Sequence, residues 1–303
     1  RGAAGPLVVR GGGTRGLGGP SGEVLETGAL SGVVLYEPGA LTLVARAGTP
    51  LVEVEALLAA EGQRLAFEVP DMRGLLGRQG HSTIGGVMAA NASGPRRVQA
   101  GAARDFLLGV RFVDGRGTIV KNGGRVMKNV TGYDLVKLLA GSHGTLGVLT
   151  EVSLKVLPAP AAQATLVLDG LSDAEAVTVM ARALGSPYDV TGAAHWPGHG
   201  TFLRIEGLAA QVAYRGGRLQ ALLGGRIEER GPWEQIRDVA PFHGQPGDVW
   251  RLSVKPSDAP GLVAKAGAIG VLYDWGGGLV WLLVAPGTDL RARLGAFQGH
   301  ATL

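Results

Sequence analysis

The sequence predicts an α+β protein of two domains, and three observations carry that reading. Glycine is concentrated in three blocks of the first half, separated by strand and helix patterns. Pro158-Ala159-Pro160 then marks a linker, so the expected domains are 1–158 and 159–303. Beyond it the order of elements reads strand, helix, strand, strand, helix, strand, which is the ferredoxin-like motif. At 303 residues the chain is long enough for two cores.

The elements follow in order. The β-type run Leu7-Val8-Val9-Arg10 leads into a glycine loop. Thr49-Pro50 is an N-cap and first-turn pair for a helix with apolar Leu51, Val54 and Leu58, closed by Gly62. Val110 to Val120 reads as a hairpin around Asp114-Gly115. Tyr133 to Ala140 is helical in pattern. After the next glycine block, Thr150, Val152, Leu154 and Val156 alternate with Glu151, Ser153 and Lys155 as in a half-buried strand. In the second domain Ala164 to Leu168 is the first strand. Ser172 and Glu175 form a capping box for a helix carrying Val177, Met180 and Leu184. Tyr188 to His195 and Phe202 to Glu206 are the central strands. Gln211 to Leu223 is a helix weakened by Gly216 and Gly217, and Gly225 to Glu229 closes the motif. Two more patterned strands, Trp250/Leu252/Val254 and Leu279 to Ala285, extend the sheet.

Composition narrows the function classes. Hydrophobic residues make up 46% and charged residues 18%, as in a globular protein. The net charge of +4 is scattered, without a basic run or interleaved aromatics, so nucleic acid is not an expected partner. There is no Cys, hence no disulfide, thiolate metal site or iron–sulfur cluster held by this chain. No stretch approaches the roughly 20 apolar residues that span a bilayer. The opening Arg1-Gly2-Ala3-Ala4-Gly5 lacks the apolar core of a signal peptide, so the expected location is cytoplasmic.

Glycine accounts for 52 residues, without a collagen-like period. The first block is Arg10-Gly11-Gly12-Gly13-Thr14-Arg15-Gly16. Gly11, Gly13 and Gly16 satisfy GxGxxG, but Leu17-Gly18-Gly19-Pro20 follows, which cannot open the helix that a Rossmann fingerprint requires. A nest of backbone N–H groups for a pyrophosphate fits better, with a glycine-rich surface turn as the plainer alternative. The second block, Ser82 to Arg96, is nearly all small from Gly85 to Gly94. That composition lets an extended ligand lie against main chain, with Asn91 and Ser93 as hydrogen-bonding groups. Close helix packing would explain it equally well. The third, Gly141-Ser142-His143-Gly144-Thr145-Leu146-Gly147-Val148-Leu149-Thr150, joins a helix to a strand.

At these blocks the chain resembles the vanillyl-alcohol-oxidase-type (PCMH) flavoproteins, in the order and spacing of their FAD-binding segments. Met127-Lys128-Asn129-Val130-Thr131-Gly132-Tyr133-Asp134-Leu135 is similar to a segment shared by glycolate oxidase D and E subunits. Trp250-Arg251-Leu252-Ser253, Pro256 to Pro260, Asp274-Trp275-Gly276-Gly277 and Gly299-His300-Ala301-Thr302 resemble the E subunits. The resemblance implies a PCMH-type FAD-binding domain of two α/β subdomains and a ferredoxin-like cap for the substrate. It implies that Arg10, Gly11, Gly12, Gly13 and Thr14 hold the pyrophosphate, and that Thr83, Gly85, Gly86, Asn91 and Gly94 line the pyrophosphate and ribityl region. Gly141, Gly144, Thr145, Gly147 and Val148 would run along the flavin and adenosine side. Covalently flavinylated relatives often use a histidine, whereas this glycine loop ends in Thr14, so non-covalent FAD is implied. Many relatives carry Glu at the position of His143. The family usually begins earlier and continues past Gly299-His300-Ala301-Thr302, which implies a longer chain.

The remaining candidates are individual side chains. His195 and His199 have i,i+4 spacing, but Pro197 and Gly198 between them break any shared helix face for a metal. Neither GxSxG nor GxxxxGK[ST] occurs. His143 sits either near the flavin or on an exposed loop. Arg251, in an apolar strand, is a candidate bidentate clamp for a carboxylate, or half of a structural ion pair. His300 is the candidate base for a hydroxyl proton. The resemblance implies FAD-dependent oxidation of a small 2-hydroxy acid, glycolate to glyoxylate. Electrons would pass to a D-type flavin subunit and an iron–sulfur subunit, and any membrane association would run through those partners. A flavin relay or assembly subunit beside a catalytic D-type chain is the alternative. A stand-alone flavoprotein acting on another alcohol, aldehyde or sugar is the third reading.

Overall fold

The computed structural model describes residues 5–16, 21–125 and 132–303. Leu17 to Pro20 and the Met127 to Thr131 part of the subunit-like segment lie outside the described residues. The chain forms two compact units. One comprises Arg1–Gly94 with Gly101–Ala159, and the other Pro95–Ala100 with Pro160–Leu303. The fold is α+β.

In the first unit a five-stranded antiparallel sheet runs in the order Val33–Glu37, Thr42–Arg46, Val148–Lys155, Leu107–Val113, Ile119–Gly123. Its central strand is the alternating segment, with Val152 and Leu154 fully buried. The Asp114 turn closes because its carboxylate accepts from the backbone N–H groups of Arg116 and Thr118, 2.9 and 2.8 Å away. Helix Leu51–Ala60 buries Val54 and Leu58 and gives way to Gly62 at φ +63°. Its start differs from the expected cap. Thr49 points its hydroxyl back to the Arg46 carbonyl (2.7 Å), and Pro50 takes the N-cap position without a side-chain bond. A separate parallel pair, Leu7–Arg10 with Glu23–Glu26, carries the first glycine loop at its end.

The second unit is one eight-stranded sheet. Its first half has the expected ferredoxin-like order: Arg226–Glu228, Ala162–Leu168, Gly200–Gly207, Val190–Trp196, with helices Asp173–Leu184 and Ala209–Leu223. Ser172 and Glu175 do form the capping box. The second half is a surprise. Asp248–Val254, helix Ala259–Ala266, Gly270–Asp274, Leu279–Val284, helix Leu290–Leu294 and Gly299–Thr302 repeat the same βαββαβ order. They also repeat the same strand sequence in the sheet. The "extending" strands are therefore two members of a second complete motif. The repeats join through their second strands, at the pair His195 and Tyr273.

All the longer helices of this unit cover one face. Leu166, Leu203, Trp250, Leu252, Val280 and Tyr273 meet Met180, Val212, Leu219 and Leu290 there in a single core. The register puts Arg204 opposite Thr165, and Arg251 opposite Trp281 and Thr302, on the other face.

Candidate functional site

The three glycine blocks come together in the first unit. A Cβ on Gly12 would overlap the His81 carbonyl, and one on Gly11 would overlap the Thr83 hydroxyl, so the first loop lies directly on the start of the second block. Thr14 Oγ1 and Arg15 Nη1 both reach Ser82 Oγ, at 3.1 and 2.8 Å, and Arg15 Nη2 donates to the Pro70 carbonyl at 2.6 Å. The third block zips onto the second. Gly141 N–H donates to the Met88 carbonyl (3.2 Å) and His143 N–H to the Ala89 carbonyl (3.0 Å). A Cβ on Gly144 would lie 3.2 Å from Val9 Cβ, which closes the circuit back to the first strand. These approaches need residues without side chains, which is why the blocks are glycine.

The groove enclosed has a volume of about 700 Å³, within the range of cofactor sites. Its lining includes Arg10, Gly11, Gly12, Gly13, Thr14, Thr83, Gly86, Gly144 and Thr145 from the expected set. Among the described residues, the backbone N–H groups of Gly11, Gly12, Gly13 and Thr14 meet no acceptor. Four successive donors at the rim of a cavity form a nest suited to an anionic oxygen. Positive charge surrounds them. Arg10, which also bonds Glu26 at 3.3 Å, is joined by Arg15 and Arg78. An extended dinucleotide with a central pyrophosphate fits this donor set.

Other expected residues have different local duties. Gly85 packs its backbone on Ala47, where a Cβ would lie 2.6 Å from the Ala47 side chain, and its N–H bonds the Ala47 carbonyl. Only its neighbour Gly86 faces the groove. Asn91, at φ +47°, accepts from Arg104 N–H at 2.9 Å and so caps the next short helix. Gly94 is buried and does not line the groove. Gly141 turns at φ +88°, Gly147 passes beside Phe112, and Val148 begins the central strand. Sequence reasoning missed Arg15, Arg78 and Gln79 in the lining. Arg15 adjoins the first block and was visible. Arg78 reaches the loop because Gly77 turns the chain at φ +59°, after which its guanidinium lies against Gly16. His143 lines the groove, and partial burial lowers its pKa, which favours the neutral imidazole.

In the second unit Arg251 and His300 share the face away from the longer helices. Arg251 is paired in register with Thr302, and Ser253 with His300. The two candidates are thus diagonal neighbours on adjacent strands, at a backbone spacing of roughly 7–8 Å. His300 is exposed on an edge strand. The Arg251 guanidinium lies 5.3 Å from the Trp275 ring centre and 5.9 Å from that of Trp281. It has no ion pair among the described residues. Burial and the charge of Arg97 both lower its pKa from the usual arginine value. His195 is buried, with Nδ1 2.9 Å from Thr201 Oγ1, while His199 stacks on Trp196 at 3.9 Å.

Residues 2–123 match the family described as "FAD binding domain". The chain is 40% identical over 301 residues to "Glycolate oxidase subunit GlcE" of Escherichia coli (strain K12), covering 98% of this chain and 81% of that protein. It is 35% identical over 165 residues to "Glycolate oxidase subunit GlcD" of Bacillus subtilis (strain 168), covering 53% of this chain and 34% of that one. Among solved structures, alkyldihydroxyacetonephosphate synthase superposes with a TM-score of 0.72 at 16% identity, over 95% of this chain and 66% of that chain; this is a likeness of fold. The groove built from backbone donors and the similarity along almost the whole chain agree. The chain belongs to the PCMH-type FAD-binding oxidoreductases, in the family of glycolate oxidase subunit GlcE, with FAD as its cofactor.

Proposed function

We propose that this chain is the E-type FAD-binding subunit of a glycolate oxidase complex, oxidising glycolate to glyoxylate. The observation that supports it most is the meeting of three side-chain-poor segments around one groove with four unspent backbone donors. The similarity to the E subunit extends this reading from cofactor to substrate. Gly11 to Thr14, with Arg10, Arg15 and Arg78, would hold the pyrophosphate, and Thr83, Gly86, Gly144 and Thr145 the adjoining part of the cofactor. Binding is non-covalent. FAD held there supplies a two-electron acceptor for the hydride of carbon 2.

The chain's own residues supply the rest. Arg251 offers a planar fork of N–H donors that binds the substrate carboxylate in two parallel bonds. His300 accepts the hydroxyl proton as the carbonyl forms. Removing one hydride and one proton from glycolate leaves glyoxylate, so the step balances. A D-type flavin subunit and an iron–sulfur subunit then receive the electrons, since this chain has no cysteine to hold a cluster.

Anaerobic mixing of the FAD-loaded chain with glycolate tests the reading. The visible flavin absorbance should bleach and glyoxylate should appear in equal amount. A spectrum unchanged by glycolate, recovered only when a D-type partner is added, would move the chemistry to that partner and leave this chain as a flavin relay.

A further inference from the structure

The face of the second unit away from its longer helices carries a cluster that the flavin groove does not account for. Segment Pro95–Ala100 packs with this unit and brings Arg97 over Trp275, 4.8 Å from the ring centre. Arg251, on strand Asp248–Val254, approaches the same ring at 5.3 Å and also lies near Trp281. Two guanidiniums therefore use one indole. Such an arrangement is self-repelling, and Arg97 acts on Arg251 in that direction.

The chemistry of stacking explains what the arrangement leaves available. A guanidinium against an indole uses its π face for that contact and keeps its in-plane N–H groups for an acceptor. Arg251 has no carboxylate, carbonyl or hydroxyl partner among the described residues. Its guanidinium nitrogens keep some solvent contact and so remain reachable. Elsewhere in this unit a buried arginine is answered within the protein. Arg204 stacks on Trp233 at 4.6 Å in the same way, yet it also bonds Thr191 and lies 3.5 Å from Glu206. Arg251 has the stacking partner and lacks the anion. A mostly buried cation without a counter-charge costs stability. It is accounted for when a ligand supplies the missing charge.

We propose that Arg97 and Arg251, mounted on Trp275 and Trp281, form a two-arginine receptor for the carboxylate of a small organic acid, with Arg97 as its second determinant. The choice of a carboxylate rests on the glycolate reading above; the existence of an anion site rests on the two arginines. Arg97 is exposed and lies outside the core.

The test uses the FAD-loaded full chain and oxalate, a redox-inert small carboxylate, in calorimetric titration with tryptophan fluorescence as a second readout. Arg97→Gln and Arg251→Gln should each weaken oxalate binding by about tenfold or more, Arg97→Lys should restore part of it, and thermal melting of the Arg97 variants should stay at the wild-type value. For glycolate oxidation Arg97→Gln should raise KM more than it lowers kcat. Oxalate affinity within about twofold of wild type in Arg97→Gln would overturn the proposal. Equal binding of inorganic phosphate and oxalate would overturn the carboxylate assignment. If glycolate fails to bleach the flavin while oxalate binding still depends on Arg97, the activity reading falls and the receptor stands. Bleaching with an unchanged KM in Arg97→Gln sinks the receptor alone.

Discussion

The two βαββαβ repeats of the second unit share a topology and differ in what they do with the face away from their longer helices. In the first repeat that face is closed. Trp233 covers Arg204, its indole N–H donates to Thr165 at 2.9 Å, and Glu206 accepts a bidentate pair from Arg96 at 2.9 and 3.0 Å. In the second repeat the equivalent face is less sealed: Arg251, Trp281 and Ser253 are half-buried and His300 is exposed. One repeat spends its arginine on structure; the other keeps its arginine available. Duplicated scaffolds divide work in this way because topology fixes where side chains point and says nothing about which charges are satisfied.

Breaking the closed face should have the largest effect. Glu206→Gln leaves the guanidiniums of Arg96 and Arg204 facing a neutral amide in a buried setting, and should cost about 3–5 kcal/mol in urea unfolding followed by circular dichroism. A loss of under about 1 kcal/mol would show that water already reaches the pair and that the two faces are more alike than they look.

The seam between the repeats should give an intermediate, pH-dependent effect. His195 is buried beside Tyr273, and burial lowers its pKa, opposed by Asp173 at 3.4 Å. The Tyr273 hydroxyl donates to the same carboxylate at 2.6 Å, and burial followed by that bond raises the tyrosine pKa. A histidine whose folded pKa is depressed binds fewer protons folded than unfolded. Stability is therefore present above the ordinary histidine value of about 6.5 and is lost as pH falls through the lower folded value. His143 contributes in the same direction. Urea midpoints measured from about pH 7.5 down to about pH 5 should fall, and His195→Gln should flatten the slope to the part that His143 supplies. An unchanged slope in that variant would remove His195 from the account.

The less sealed face should respond least. Arg251→Met removes a desolvated cation that no protein carboxylate answers, so stability should stay within about 0.5 kcal/mol of wild type or rise slightly. A loss of about 2 kcal/mol or more would mean that stacking on Trp275 and Trp281 holds the sheet together, and the contrast between the repeats would disappear.

The same contrast explains what was legible in the sequence. The first repeat could be read because its helices are long and its punctuation is local: Ser172 with Glu175, and apolar residues at helical spacing. In the second repeat the final helix has five residues, Leu290–Leu294, and the last strand four, Gly299–Thr302. Those lengths carry too few turns for a period to emerge. In the first unit the glycine blocks announced close backbone approach. The division of labour inside them did not show. Gly85 and Gly86 look alike in sequence, yet one packs on Ala47 and the other faces the groove, a distinction set by helix phase. Arg78 and Arg97 were missed because each acts on residues far away in the chain.

The overlap that any side chain on Gly12 would create with the His81 carbonyl has a consequence for protein engineering. Loop and counter-loop are mated surfaces separated by almost seventy positions, so a loop exchanged from a homologue must keep glycine at position 12. Chimaeras made within this family should lose flavin where the exchange puts any side chain at that position.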